Sequence, residues 1–415
     1  MSLRVWSWIG CLLLAAGPAA WPADDAASIR IARIRAHMAD NLQRLPNYTC
    51  TQTIERSSRS ARSRRFQLID TLRLEVALVN GRELFAWPGS GKFDDRELGE
   101  IIGSGASGNG NFGLHARSIF LGREAQFQFA GEVDLEDRRV YQYVYRVPRL
   151  RSGFKLKSGE AEGIAGYHGR FEAEIDTLDV VSLDVLADDE IPPHVPIRSA
   201  FTKMRYRRMT IGSGEFLLPE SSELAITNLT GDESRNVVAL SGCKQYGTES
   251  VISFADPPPE ETTPATPPPV AAATAKSIGE LPIGLDFEVS LDTRLTFPGA
   301  AVGDLVEGRL TSDAKKKGAV MIPKGTLVRG RLLAFGYMGN ARLPTLSVTI
   351  RLNEIDLPGG RAEVRGVAQR ILSVGTAGSR LGVDNGVIYI VSNSRRELAR
   401  GSRIWWRLEQ KTETR

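Results

Sequence analysis

Residues 285–292 read Leu-Asp-Phe-Glu-Val-Ser-Leu-Asp: Leu285, Phe287, Val289 and Leu291 fall on one side, and Asp286, Glu288, Ser290 and Asp292 on the other. Period two is the signature of a β-strand with one core face and one wet face. The pattern recurs at 346–353, where Leu346, Val348, Ile350 and Leu352 alternate with Ser347, Thr349, Arg351 and Asn353. Around these segments, short apolar runs at Leu305–Leu310, Leu327–Leu333, Val387–Val391 and Arg403–Leu408 are separated by Gly, Pro and Asn turns. Several short strands at such spacing predict a small β-barrel or sandwich. In its last strand Trp405 and Trp406 must point to opposite faces, one into the core and the other outward or to an interface.

Upstream, Asp256 to Thr274 reads DPPPEETTPATPPPVAAAT, with seven prolines and no apolar period. Such composition predicts an extended, semi-rigid linker over 256–275. It divides the chain into residues 24–255 and residues 276–415. The second part holds 22 Lys and Arg against 14 Asp and Glu, a net of +8, while the whole chain is only +4. The basic character therefore sits in the second domain.

The first domain opens with a helix, because Ile31, Ile34, Met38, Leu42 and Leu45 recur at three- and four-residue spacing and Pro46 ends the pattern. Strands follow at Leu72–Val79 and Glu83–Trp87, joined by an Asn80-Gly81 hairpin signal. Asp94 and Glu97 suggest a capped short helix burying Leu98, Ile101 and Ile102. In Arg170–Asp176, Phe171, Ala173 and Ile175 alternate with Arg170, Glu172, Glu174 and Asp176, which predicts a strand with one wet face. Val140–Val147 places Tyr141, Tyr143 and Tyr145 on a single face, either packed or rimming an apolar groove. Gly212-Ser213-Gly214 turns the chain between Tyr206–Ile211 and Phe216–Leu218. The expected fold is mainly β with a few helices: an antiparallel half-barrel-like sheet with a covering helix, then a small β-barrel or sandwich.

The 415 residues are 42% hydrophobic and 25% charged, which excludes a wholly disordered chain, a collagen and a multispanning membrane protein. Arg4, the apolar run Val5–Ala16 and the small residues to Ala23 read as a secretory signal peptide over 1–23. No later run approaches the roughly 20 residues of a transmembrane helix, so an exported protein of the periplasm or cell envelope is expected. Export leaves two cysteines. Cys50 lies in the first strand-like run (YTCTQTIE) and Cys243 in one of the last before the linker. In an oxidising compartment they are expected to pair, the alternative being two buried free thiols.

No motif identifies a reaction. Gly103, Gly105 and Gly108 match GxGxxG, but the run GSGASGNGNFG is too glycine-rich to open the required helix. Gly89-Ser90-Gly91-Lys92 lacks both the Ser/Thr and the first Gly of a phosphate loop. His37, His115, His168 and His194 are scattered without ligand spacing, and Asp188, Asp189 and Glu190 read as a solvated turn before two prolines. No cofactor and no metal are expected. Arg56, Arg59, Arg62, Arg64 and Arg65 cluster between the first two strands and suit phosphate or carboxylate headgroups, or form a solvated hairpin tip. Export disfavours nucleic acid as a partner.

The series PIGLDFEVSLDTRLT (282–296), GDLVEGRL (303–310), VMIPKGTLVRGRL (320–332), VTIRLNEIDLPGGR (348–361) and LARGSRIWWRLEQ (398–410) resembles the C-terminal barrel of the TrbI family, the core scaffold of type IV secretion systems. Pore-building members carry an inner-membrane helix and an apolar helical hairpin in the barrel. Here only TAGSRLGVDNG (376–386) stands at the hairpin position, so a non-spanning relative is implied. The first domain, helix then many strands with phrases such as FEAEIDTLDVVSLDVL (171–186), more distantly resembles LolA-like periplasmic half-barrels. That resemblance implies an apolar groove for acyl chains or a lipidated partner. The expected function is non-enzymatic: the first domain binds a lipid, lipoprotein or envelope protein, and the basic second domain docks to an anionic component or protein assembly. A purely structural scaffold is the alternative, and an envelope hydrolase a third. If Cys50 and Cys243 pair, alkylation of the unreduced exported protein adds no mass; two added alkyl groups would establish free thiols.

Overall fold

The computed structural model describes residues 25–80, 82–90, 93, 114–135, 138–246, 281–297, 299–338, 345–372, 380–391 and 397–409. The signal segment expected over 1–23, the linker expected over 256–275, the short helix expected at 94–102 and the glycine run from Gly103 lie outside them.

Helix α1 (Asp25–Arg44) ends before Pro46 and closes with an Asp40–Arg44 pair at 2.7 Å. A first group of strands follows: β1 (Tyr48–Arg59), β2 (Gln67–Val79), β3 (Arg82–Ala86), β4 (Gln126–Leu135), β5 (Arg138–Val147) and β6 (Phe154–Ser158). Then come β7 (Ala161–Ala165), β8 (Tyr167–Glu174), β9 (Val180–Ala187), β10 (Ile197–Ile211), β11 (Gly214–Asn228) and β12 (Glu233–Gln245). Ten of these form one antiparallel, half-barrel-like sheet in the order β3-β2-β1-β12-β11-β10-β9-β8-β5-β4, while β6 and β7 make a separate hairpin. Asn80 takes the left-handed turn conformation (φ 52°) between β2 and β3, as an Asn-Gly hairpin requires.

Period two decides what each strand offers α1. Tyr143, Tyr145, Phe171, Leu183 and Met204 are all buried, and Ile34, Met38 and Leu42 of α1 pack with them. Each such side chain contributes roughly 1.5–3 kcal/mol by leaving water. The outer face is less wet than the alternation in Arg170–Asp176 implies. Glu172 is buried, because β5 and β9 bring Gln142 (3.0 Å) and the Ser182 hydroxyl onto its carboxylate. Hydrogen-bond donors from neighbouring strands, which period alone does not reveal, keep that charge in place.

β1 and β12 carry Cys50 and Cys243, joined in a disulfide. Their register slips here: Thr51 faces Ser241 and Thr49 faces Lys244, so Gly242 and Cys243 together oppose Cys50. Gly242 sits at φ 59°, the left-handed residue of a bulge.

The C-terminal strands are β13 (Asp286–Leu291), β14 (Leu295–Thr296), β15 (Leu305–Leu310), β16 (Ala314–Lys316), β17 (Ala319–Ile322) and β18 (Leu327–Met338). They continue as β19 (Thr345–Leu357), β20 (Gly360–Leu372), β21 (Arg380–Asp384), β22 (Val387–Val391), β23 (Glu397–Leu398) and β24 (Arg403–Glu409). The path β18-β15-β13-β24-β20-β19 closes through a β18–β19 pairing into a barrel, and β22 and β21 extend from β19. Leu285, Phe287, Val289, Leu291, Leu346, Val348, Ile350 and Leu352 all face its core. Trp406 is buried there, while Trp405 lies outside with Arg370 stacked on it at 3.7 Å.

The sheet and the barrel share one contiguous apolar core, which includes Leu72, Leu74 and Val76 of β2 together with Val289, Leu332 and Val348. Beyond the end of β3 the free edge of β2 is taken by Val302: its N–H donates to Thr71 O (2.7 Å) and its carbonyl accepts from Arg73 N–H (2.8 Å). Arg73 also pairs with Asp304, and Arg331 donates to Pro88 O at 2.7 Å. Gly303 (φ +100°) makes this approach possible, since a Cβ there would meet Arg73 O at 2.4 Å and the Trp87 ring at 2.7 Å. Gly303→Ala is therefore expected to lower the urea stability by about 1–3 kcal/mol more than Gly359→Ala. Gly359 has a similar φ of +109° but open space around it, so equal losses would show that the close approach does not matter.

Candidate functional site

α1 is fastened to the sheet by polar groups around its apolar stripe. Asn41 donates to Leu217 O (2.9 Å) and accepts from Leu217 N–H (2.8 Å), satisfying both ends of its amide in the core. His37 meets Asp179 at 2.7 Å, and Arg208 holds the same carboxylate at 2.6 and 2.8 Å. Arg35 donates to the carbonyls of Phe120 (3.1 Å) and Gly122 (2.7 Å). Arg117 returns a contact to Leu42 O at 3.3 Å, at the last turn of α1. Near the helix start, the Tyr143 hydroxyl donates to Ala27 O (3.2 Å), and Arg30 lies over Phe129 and Tyr141.

Between α1 and the helical turn at 114–121 runs an open cleft of about 450 Å³. Ala32, Ala36 and Ala39 line its helix side, Phe120 and Leu121 the other, and Arg35 and Gln43 its rim. Alanine at positions spaced four and three apart leaves a channel along the helix where longer side chains would close it. Within the same turn His115 is buried against Phe154 (5.3 Å between rings), and burial lowers its pKa to about 4.

The three tyrosines share the face expected of them, as packing partners of α1. Tyr143 stacks on Phe171 at 5.4 Å, the Tyr145 hydroxyl donates to Asp184 O at 2.7 Å, and Tyr141 is half-buried under Arg30. α1 packs on this face, and Tyr145 also borders a cleft that opens on the other side of the sheet. The arginine cluster separates into two groups. Arg56 and Arg59 lie within β1, Arg56 buried in a bidentate pair with Asp70 (2.7 and 2.5 Å) and Arg59 held by Glu233 (2.6 Å). Arg62, Arg64 and Arg65 alone occupy the exposed turn.

On the outer face a second, larger cleft of about 720 Å³ is lined by Val144, Leu186 and Phe201 with Arg146, His168, Arg170 and Asp184. Its charges are mutually engaged: Arg170 with Asp184 (3.0 Å), and Arg146 with Asp189 (3.0 Å) and Glu190 (2.5 Å). Burial holds the Asp184 carboxyl above the usual range. His168 meets Asp188 at 3.0 Å, and with Asp189 these form a group whose ligand atoms lie within 4.8 Å of one another. The sequence separates His168 from that turn by twenty residues, and only the β8–β9 pairing unites them. Sequence reasoning also missed Asn41, although a polar residue inside the apolar stripe at 34, 38 and 42 was a signal, and it missed the 114–121 turn, which has no period to betray it.

Neither a protein-family model nor a curated protein matches the sequence. Among solved structures, the chain is similar to a DUF1329 family protein from Desulfovibrio piger, at 11% identity and a TM-score of 0.29, over 53% of this chain and 92% of that one. A domain assigned as an outer membrane lipoprotein-sorting protein from Vibrio parahaemolyticus gives 10%, 0.28, 53% and 94%. A LolA superfamily protein from Nitrosomonas europaea gives 10%, 0.27, 52% and 93%. Likeness at this level assigns neither partner nor activity.

The buried His115 makes stability depend on pH with a definite sign. The fold favours the neutral ring, whereas the unfolded chain takes a proton near pH 6.5, so the contribution is complete above that value and falls as pH drops toward 4. Between pH 7 and pH 4.5 the wild type should lose about 2–3 kcal/mol more urea stability than His115→Leu. Parallel losses would place the proton elsewhere.

Proposed function

We propose that the chain is a non-enzymatic protein of the periplasm or cell envelope that binds an acyl chain of a lipid or lipoprotein, or an envelope partner, at the helix-covered sheet. One observation carries this reading: the alanine-lined cleft beside α1, whose volume of about 450 Å³ lies within the roughly 300–1,000 Å³ span of small-molecule sites. Its walls are apolar and its rim carries Arg35, an arrangement that accepts a hydrocarbon tail and leaves the polar end in water. The LolA-like resemblance of the first domain is consistent with such a ligand. In the same proposal the barrel, TrbI-like in its strand series, docks through its excess of basic residues to an anionic component or protein assembly, and 256–275 tethers the two.

A scaffold without a small-molecule ligand is the second reading. It is favoured by the core shared between sheet and barrel, which suits a body that holds other proteins at fixed geometry.

Cis-parinaric acid added to the exported, purified protein separates the two. Acyl binding predicts enhanced emission on saturation, and Ala36→Phe, which fills the cleft from an exposed helix position, should weaken it tenfold or more, a loss of roughly 1.4 kcal/mol at the least. Absence of binding, or equal binding by a folded Ala36→Phe protein, would leave the scaffold reading standing.

A further inference from the structure

The turn between β1 and β2 carries Arg62, Arg64 and Arg65, all exposed, and none of their guanidinium groups has a hydrogen-bond or ion-pair partner among the described residues. Exposed apolar side chains stand beside them. Leu68 and Ile69, at the start of β2 where the ladder with β1 slips by one residue, are 37% and 44% exposed; Leu229, on the neighbouring β11–β12 turn, is 56% exposed.

The two turns are held side by side. Ala61 N–H donates to Asp232 Oδ1 at 3.0 Å, and a Cβ on Gly231 would come within 3.1 Å of Ala61 Cβ. Arg198 reaches across to Leu229 O at 3.1 Å. The carboxylates nearby are already engaged: Asp232 by Ala61 and Thr230, Glu233 by Arg59, and Asp70 by Arg56. Asp232, held by neutral donors, keeps its charge, but the three guanidinium groups outnumber it and leave this end of the sheet net positive.

A lone exposed leucine needs no explanation. Three apolar side chains, two where β2 leaves one clamped turn and one on the other, beside three unpaired guanidinium groups, match a surface that carries phosphates above hydrocarbon. Arginine binds phosphate oxygens in a planar fork and tolerates partial dehydration, while leucine and isoleucine gain by entering the acyl boundary. A soluble anion would use the arginines and leave Leu229 without a role. We propose that this end of the sheet docks on an anionic lipid bilayer, with Arg62, Arg64 and Arg65 on the headgroup phosphates and Leu68, Ile69 and Leu229 at the boundary below them. The proposal uses none of the residues of the α1 cleft and stands or falls apart from acyl-chain binding there.

The test is flotation of the exported, purified full chain with vesicles of equimolar phosphatidylglycerol and phosphatidylcholine, against vesicles of phosphatidylcholine alone. Binding is expected to the first and not the second. At about 1 kcal/mol for each basic residue at such a surface, the triple variant Arg62→Gln, Arg64→Gln, Arg65→Gln should bind roughly 100-fold more weakly. Leu229→Ser should lose several-fold and make the remaining binding fully reversible by roughly 0.5 M salt. Both variants alter exposed turns, and an unchanged circular dichroism spectrum checks that they fold. Equal binding to both vesicles, no binding to either, or undiminished binding by the triple variant overturns the proposal. A Leu229→Ser protein identical to wild type at every salt concentration overturns the apolar half of it.

Discussion

The pairing of β1 with β12 turns two sets of strands into one sheet. β1, β2 and β3 form a local meander, and β4, β5 and β8 to β12 form another series; only the ladder from Tyr48 opposite Gln245 to Arg59 opposite Glu233 unites them. Everything else assumes that ladder. It sets β2 where the barrel meets it, and it clamps the two turns at the arginine-bearing end. Contacts this distant in sequence carry a large loop-closure cost before any of their gains are realised. The chain reinforces the seam accordingly, with a disulfide near one end, the Arg59–Glu233 pair at the other, and buried Ile54 and Val238 between.

The helix and the barrel divide the work of covering this sheet. α1 supplies apolar bulk through Ile34, Met38 and Leu42, and its orientation follows from directional contacts at Asn41, His37 and Arg35. Apolar contact alone would allow the helix to slide or rotate on a broad aromatic face; the amide of Asn41, locked to both backbone groups of Leu217, permits one register. The barrel uses a different device, adding Val302 to the backbone of β2 as a strand would and closing the contact with an ion pair. Edge strands left bare invite further pairing, and here part of that edge is sealed by the same chain.

Much of this was legible in the residues. Period two in 285–292 and 346–353 placed eight core side chains correctly, because a barrel strand has one face in and one out. Ile34, Met38 and Leu42 marked the covered face of α1, and Pro46 its end. The Cys50–Cys243 bond followed from compartment and count. What periodicity could not convey was interaction between distant strands. Glu172 looks like a wet residue until Gln142 and Ser182 arrive from β5 and β9. Arg56 and Arg59 look like neighbours of Arg62 in a basic loop, yet Asp70 and Glu233 draw them into β1 and leave a smaller exposed group. The cleft beside α1 was equally hidden, because alanines at 32, 36 and 39 read as ordinary helix formers, and they acquire meaning only when Phe120 stands opposite.

The disulfide bears on how the chain is made. Cys50 and Cys243 are 193 residues apart, so the first thiol is synthesised long before its mate. Among the described residues no third cysteine stands to compete with them. Between these two thiols, closing the bond takes a two-electron oxidant and no reshuffling. The bond also works as a completion mark: it closes only in molecules whose β12 has been delivered and laid beside β1, so the oxidised population is the population in which the half-barrel seam exists.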